Sequence, residues 1–231
     1  GLISGDIASN ASANSPYNFT VEVTDGQQTA SKQFDLVVKK PPLMADFEAN
    51  STYGKASLTV NFNDKSTGAV TQWQWDLDSD GNIDSTVQNP SWTYNNPGWY
   101  TVKLTVSDGT DSNTCVKEMY ILVANMIYYV DWVNGDDANG GTGWGDAWKT
   151  IGKALRVAGD YDLVLVADAT YSETNLDFLG KKIYLKGVDH NTVGQHPVID
   201  CQGNGRAFYF GSGETKDSVI DNLVIQNGRV E

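Results

Sequence analysis

Residues 100–123 read YTVKLTVSDGTDSNTCVKEMYILV, and residues 17–38 read YNFTVEVTDGQQTASKQFDLVV. Each is an alternating strand ending in V-(T/S)-D-G, then a polar turn and a second alternating strand. Side chains along a strand alternate between faces, so Val102, Leu104 and Val106 share one side, as do Phe19, Val21 and Val23. Asp25-Gly26 and Asp108-Gly109 are the turn signals between the paired strands. The same closing hairpin therefore occurs twice. The second copy closes a full run of strands. The first is preceded by too few residues for a sandwich, and a lone hairpin is marginal in water. Residues 1–40 are thus expected to be the last strands of a module that begins upstream. An opening Gly rather than Met agrees with numbering that starts inside a longer precursor.

Working outward, Lys39-Lys40-Pro41-Pro42 reads as a linker, because two prolines remove donors and oppose a continued ladder. Short strands follow at regular spacing over residues 41–125: ADFEA (45–49), SLTVNFND (57–64), VTQWQWDLD (70–78), SWTY (91–94), WYTVKLTV (99–106) and CVKEMYILV (115–123). Turn residues separate them, Tyr53-Gly54 and Asp80-Gly81-Asn82 among them. Strands this short and regular predict a β-sandwich.

The pattern changes over residues 126–231. IYYVD is a strand, WVNGDDANGGTGWG is too glycine-rich for a core element, and residues 146–159 have helical spacing. Trp148, Ile151, Leu155 and Ala158 form one apolar stripe, with Asp146 placed to cap the start and Gly159 the end. Beyond lie apolar cores VLV, IYL, AFYF and LVI, starting near 164, 183, 207 and 223. Their mean spacing of about twenty residues predicts one circuit of a β-solenoid. The amphipathic helix would cover the apolar end of its first rung.

Composition narrows the function. The chain has 231 residues, 29 acidic against 16 basic, a net charge of −13 and a pI near 4.4. That balance excludes a phosphate-backbone binder, which needs a basic face, and disfavours anionic membranes. LVLVA (163–167) and YILVA (120–124) are far short of the ~20 residues of a spanning helix. With two Cys and two His, sites built on those ligands are set aside. Cys115 and Cys201, in different domains, read as buried thiols.

Three resemblances rest on these segments. Residues 41–125 resemble a polycystic-kidney-disease (PKD) domain through Trp73-Gln-Trp75-Asp76, Asp80-Gly81, Asn89-Pro90-Ser-Trp-Thr-Tyr94, Pro97-Gly98-Trp-Tyr100 and Val102-Lys-Leu-Thr-Val106, with Trp92 where the family commonly has His. Residues 1–40 resemble the end of a bacterial Ig-like or cadherin-like module through SGDIASNAS, YNFTVEVTDG and FDLVV. Residues 126–231 resemble the start of a right-handed parallel β-helix protein, the pectin-lyase-like fold, through YYVDWVNGDDANGGTGWGDAWKTIGKAL, LVLVADATYSE and KIYLKGV. The fold class expected is all-β: an Ig-like sandwich followed by a β-helix with a capping helix. The resemblance implies a secreted or cell-surface bacterial protein. It implies a monomeric, non-catalytic spacer and binding or adhesion module, whose partner is a polysaccharide or a surface protein. The competing reading is the N-terminal part of a polysaccharide lyase or hydrolase whose active site lies beyond residue 231.

The sharpest local signal is Asp76-Leu-Asp78-Ser-Asp80-Gly81-Asn82-Ile83-Asp84. D-x-D-x-D-G sets carboxylates at alternate positions of a tight loop, where oxygens can converge on a hard cation. Asp76, Asp78, Asp80 and Asp84 are the candidate calcium ligands, with Ile83 as the loop's apolar anchor. The acid expected at the twelfth position is absent, since Val87 stands there. A solvated Asx turn between sandwich strands stays open as the alternative. Asp131, Asp136 and Asp137, with Asn134 and Asn139, read as turn chemistry before the helix, and Trp132 and Trp144 as packing over it; a second cation site or a sugar-binding edge, with those tryptophans as stacking faces, stays open as the alternative. Trp73, Trp92 and Trp99 read mainly as core, though one exposed on a sandwich would suit a pyranose ring. His190 and His196 read as exposed loop residues. Asp200 and Asp221 recur in V-I-D, with neither Lys186 nor Arg206 in a base's context, so no catalytic residue is expected.

Overall fold

The computed structural model describes residues 15–229; SGDIASNAS, at 4–12, lies outside them. The first hairpin pairs β1 (Tyr17–Thr24) with β2 (Thr29–Leu36) in antiparallel register around Asp25-Gly26. Phe19 stacks on Phe34 across the strands, yet both rings remain about 40% exposed. The two strands form a sheet of their own.

The sandwich follows. One sheet orders β3 (Phe47–Ala49), β5 (Leu58–Asp64) and β7 (Ser91–Tyr94); the other orders β4 (Tyr53–Lys55), β9 (Ser112–Ala124), β8 (Gly98–Ser107) and β6 (Gln72–Asp76). Their inner faces enclose Phe47, Val60, Phe62, Trp75, Leu104 and Ile121, all buried. Trp75 is wholly enclosed, edge-on to Phe47 at 5.2 Å. Tyr53-Gly54, read above as a turn, is instead part of β4. It pairs in parallel with Leu122–Ala124, so tertiary pairing on the edge of β9 overrides the local turn signal.

The end of β9 serves two cores. Ile121 and Val123 face the sandwich, while Leu122 and Ala124 face the other way into a second cluster with Leu163 and Leu165. The uninterrupted apolar run YILVA follows from burial on both faces. Two residues later the chain enters β10 (Ile127–Val130). Asn125 N donates to Tyr161 O at 3.0 Å and Met126 N to Asp162 Oδ1 at 2.9 Å, so the crossing itself is hydrogen-bonded.

After the helix α1 (Ile151–Val157) the chain visits three parallel sheets in cyclic order. The first holds β10, β11 (Leu163–Ala167), β14 (Tyr184–Val188) and β17 (Val219–Asp221). The second holds β12 (Thr170–Tyr171), β15 (Val198–Asp200) and β18 (Val224–Gln226), and the third β13 (Leu176–Asp177) and β16 (Phe208–Tyr209). The twenty-residue spacing of apolar cores is therefore a mixture. VLV and YL stack in the first sheet, but FY lies in the third and VIQ in the second. Within the first sheet Leu163 pairs with Tyr184, 21 residues on, whereas Lys186 pairs with Asp221, 35 residues on. Loops of unequal length between the sheets cause the difference. Gly187 marks how closely successive circuits approach, since a Cβ there would lie 2.0 Å from Asn222 O.

The helix is shorter than its apolar spacing predicts. Ala147 and Trp148 are extended: Trp148 N donates to Tyr129 O at 2.9 Å and Asp131 N to Trp148 O at 2.8 Å. Trp148 is buried by lying along β10. Asp146 does not cap α1; its carboxylate accepts from Gly140 N and Thr142 Oγ1 within the preceding loop. The cap is Thr150, whose hydroxyl accepts from Lys153 N at 3.2 Å. Two side chains from the following circuit complete the ends. Glu173 accepts from Ile151 N and Gly152 N, both at 2.8 Å, and Lys181 Nζ donates to the carbonyls of Leu155, Arg156 and Ala158 at 2.8–2.9 Å.

Candidate functional site

The loop after β6 is held at both ends before any cation is considered. Trp75 N donates to Ser85 O (2.9 Å), Asp84 N to Trp75 O (2.8 Å), and the Trp75 indole to Val87 O (2.9 Å). Tyr94 OH donates to Leu77 O at 2.8 Å. Leu77 is fully buried and anchors the loop; Ile83, expected in that role, is 54% exposed. The buried anchor lies next to Asp76 because the inward face of β6 continues one residue past the strand.

Within this frame the ligand atoms of Asp76, Asp78 and Asp84 lie within 4.8 Å of one another. Asp80, the fourth residue singled out by the motif, is outside the group. Its carboxylate turns onto its own loop, accepting from Asn82 N at 2.8 Å and Asn82 Nδ2 at 2.9 Å. Asp84 Oδ2 also accepts from Leu77 N at 2.7 Å. Asp76 Oδ1 is buried and has no hydrogen-bond partner among the described residues. Burial, and then the charges of Asp84, Asp80 and Asp76, push the Asp78 carboxyl above its ordinary range. Three carboxylates converging on one point, one with an unsatisfied oxygen, are costly in isolation and suit a hard divalent cation.

The acids before the helix are taken up by hydrogen bonds from backbone and neighbouring side chains. Asp131, 1% exposed, accepts from Val133 N, Asn134 Nδ2 and Asn191 Nδ2. Asp137 accepts from Lys149 N, Thr150 N and Thr150 Oγ1, and Asp136 from Ala138 N. Trp132 packs against Tyr171, and Trp144 against Tyr129. The adjoining glycines have a steric reason: at Gly141, φ is +73° and the Trp148 indole would lie 2.5 Å from a Cβ.

The remaining candidates separate. His190 is exposed but stacks on Trp144 at 3.8 Å, and His196 is exposed. Cys201 is buried and Cys115 half-buried; both are free, and burial raises both thiols. The two V-I-D acids fall on different sheets. Asp200 accepts from Gln202 N, Gln226 Nε2 and Asn227 Nδ2. Asp221 accepts from Tyr184 OH at 2.6 Å and pairs with Lys186. Burial alone would raise Asp221, but the bonds from Lys186 and Tyr184 outweigh it and hold the carboxyl low. No V-x-D spacing distinguishes these two sheets, so this cluster was not legible in sequence.

Residues 38–123 match the family model described as PKD domain. This segment is a PKD domain. Among solved structures, the chain is similar to the PKD1 domain of Vibrio anguillarum Epp, at 28% identity over 37% of this chain and 99% of that one, with a TM-score of 0.31. The PKD1 domain of the Vibrio cholerae metalloprotease PrtV is also 28% identical, over 35% and 98% respectively, with a TM-score of 0.30. A structure described under carbohydrate-binding modules of the β-sandwich superfamily is 22% identical over 43% of this chain and 42% of that one, with a TM-score of 0.33. No curated protein matches the chain. Among the described residues, no helix is long and apolar enough to cross a membrane.

Proposed function

We propose that the chain is a non-catalytic presentation segment of an extracellular or cell-surface protein, in which the PKD domain is a calcium-stiffened spacer that contacts glycan. On this reading residues 126–229 are the opening circuits of a right-handed parallel β-helix, which the three parallel sheets visited in turn support. The observation that carries the spacer role is the joint: β9 passes into β10 across two residues, and Leu122, Ala124, Leu163 and Leu165 share one buried cluster. A spacer must hold its ends at a fixed distance, and an apolar joint without a slack linker does so. Asp76, Asp78 and Asp84 would hold the ion, which supplies charge neutralisation and fixes the loop between β6 and β7. Half-buried tryptophans, Trp73, Trp92 and Trp99, are the side chains suited to stacking on a sugar.

Depletion of the chain by insoluble polysaccharides, run in calcium and in chelator, tests this reading together with melting curves in both. Retention on at least one polymer and a higher Tm in calcium are expected. An unchanged Tm after exhaustive demetallation would exclude the calcium role, and no retention on any polymer would exclude glycan contact.

A further inference from the structure

Where the sandwich meets the first parallel sheet, the surface folds into a cleft of about 380 Å³. The sandwich contributes Trp99, Glu118 and Met119, and the parallel sheet Tyr184, Ile220 and Asp221. Neither domain forms it alone. The volume lies within the range of about 300–1,000 Å³ seen for small-molecule sites, and an aromatic wall with few convergent polar groups is their usual lining.

Three features make this cleft more than a seam. First, Trp99 and Tyr184 approach at 5.1 Å with their planes 56° apart, so their faces form a bent apolar wall. The Trp99 indole N–H is taken by Asp217 O at 3.4 Å, which fixes the ring. Second, the polar groups are pre-arranged. Tyr184 OH and Lys186 Nζ both bond to Oδ2 of Asp221, leaving Oδ1 with no side-chain donor among the described residues. Glu118 stands exposed on the opposite rim. Third, the sandwich wall is bent at this point. The register of β8 and β9 shifts between Tyr100 and Val102, and Met119 has φ of +47° with its N–H donating to Thr101 Oγ1 at 3.2 Å. Bulges and left-handed non-glycine residues concentrate where a side chain must be re-aimed.

We propose that this interdomain cleft binds one neutral pyranose unit of a glycan, with its C–H face on Trp99 and Tyr184 and its hydroxyls donating to Asp221 and Glu118. The occupant follows from charge. Both rim acceptors are carboxylates, Lys186 is already paired with Asp221, and the chain carries −13 overall, so an acidic sugar would be repelled. The proposal rests on the glycan-contact reading above and names the site for it.

The test is isothermal titration of the whole chain with cellohexaose, xylohexaose, mannohexaose and chitohexaose at millimolar concentration, with hexagalacturonate as the acidic comparison. One or more neutral oligomers should bind saturably and hexagalacturonate should not. Trp99→Ala and Tyr184→Ala also disturb the joint, so Glu118→Gln and Tyr184→Phe are the deciding variants. Glu118→Gln should weaken binding by roughly tenfold, the order expected when a well-placed polar partner is lost, with the Tm unchanged; Tyr184→Phe should weaken it through the Asp221 carboxylate that the hydroxyl positions, with a lower Tm; His196→Ala, in an exposed loop, should bind as wild type. Wild-type binding that both deciding variants retain would overturn this site and leave glycan contact standing elsewhere. Binding of hexagalacturonate in preference would overturn the neutral-sugar assignment. No binding by the wild-type chain would overturn the site and the glycan-contact reading together.

Discussion

Asp76 has a buried oxygen with no hydrogen-bond partner among the described residues. Three carboxylates held within 4.8 Å repel one another when no cation lies between them, so Asp76→Asn, which removes one of the charges, should leave stability in chelator unchanged or raise it. In calcium the same variant should lose the rise in Tm. A variant that is strongly destabilised in chelator and still responds to calcium would contradict the assignment. The motif D-x-D-x-D-G was legible, but its division of labour was not. Alternate spacing is the same for Asp78 and Asp80; only the backbone decides that Asp80 turns back onto Asn82. Asp131 shows a second residue-scale effect. Burial would raise its carboxyl, but bonds from Asn134, Asn191 and the backbone of Val133 and Asn134 outweigh that and hold it below the ordinary carboxylate range. A carboxyl lower in the folded than the unfolded state stabilises fully above the unfolded value and loses that contribution as pH falls through the folded one. Denaturant midpoints of wild type and Asp131→Asn should therefore differ at neutral pH and converge as the pH falls below the ordinary carboxylate range. A gap that stays constant into strong acid would show that the ionised form is not what matters.

At the scale of elements, the sandwich strands were readable because alternation has one meaning when one face is buried. The helix was readable in existence but not in extent. Trp148 fell on its apolar stripe by spacing, yet it is buried by an extended segment pairing with β10, and a 3.6-residue period cannot separate those two origins. The circuits were harder still. Their apolar cores are two to five residues long, and which sheet each joins depends on loop lengths that carry no periodic signal. The clamp on α1 gives the prediction for this scale. Lys181 holds three carbonyls at the helix end, and charge-assisted bonds of this kind contribute about 1.5–3 kcal/mol. Lys181→Met should cost about 2 kcal/mol and speed amide exchange across Ile151–Val157. Full retention of exchange protection would mean that helix packing, not the ammonium, closes this end.

For the whole molecule, the decisive contact is the cluster shared between β9 and the first parallel sheet. Calorimetry of the wild-type chain should show the sandwich and the parallel sheets melting as one transition at fixed calcium. Leu122→Ala removes a fully buried side chain from the joint at a cost of about 2–5 kcal/mol, and should split the trace in two. Two transitions already present in the wild type would mean the joint does not couple the domains. The joint was out of reach of the sequence reading, because YILVA and LVLVA announce burial without naming what buries them. The clamp on α1 also has a consequence for how the chain is made. Ile151 waits for a carboxylate 22 residues downstream and Leu155 for an ammonium 26 residues downstream. On the ribosome, where residues emerge in order, the helix cannot be sealed when it first appears; it stays open until the next circuit has left the exit tunnel. The parallel sheets would then be laid down from the sandwich outward, each new turn of chain fastening the one before it.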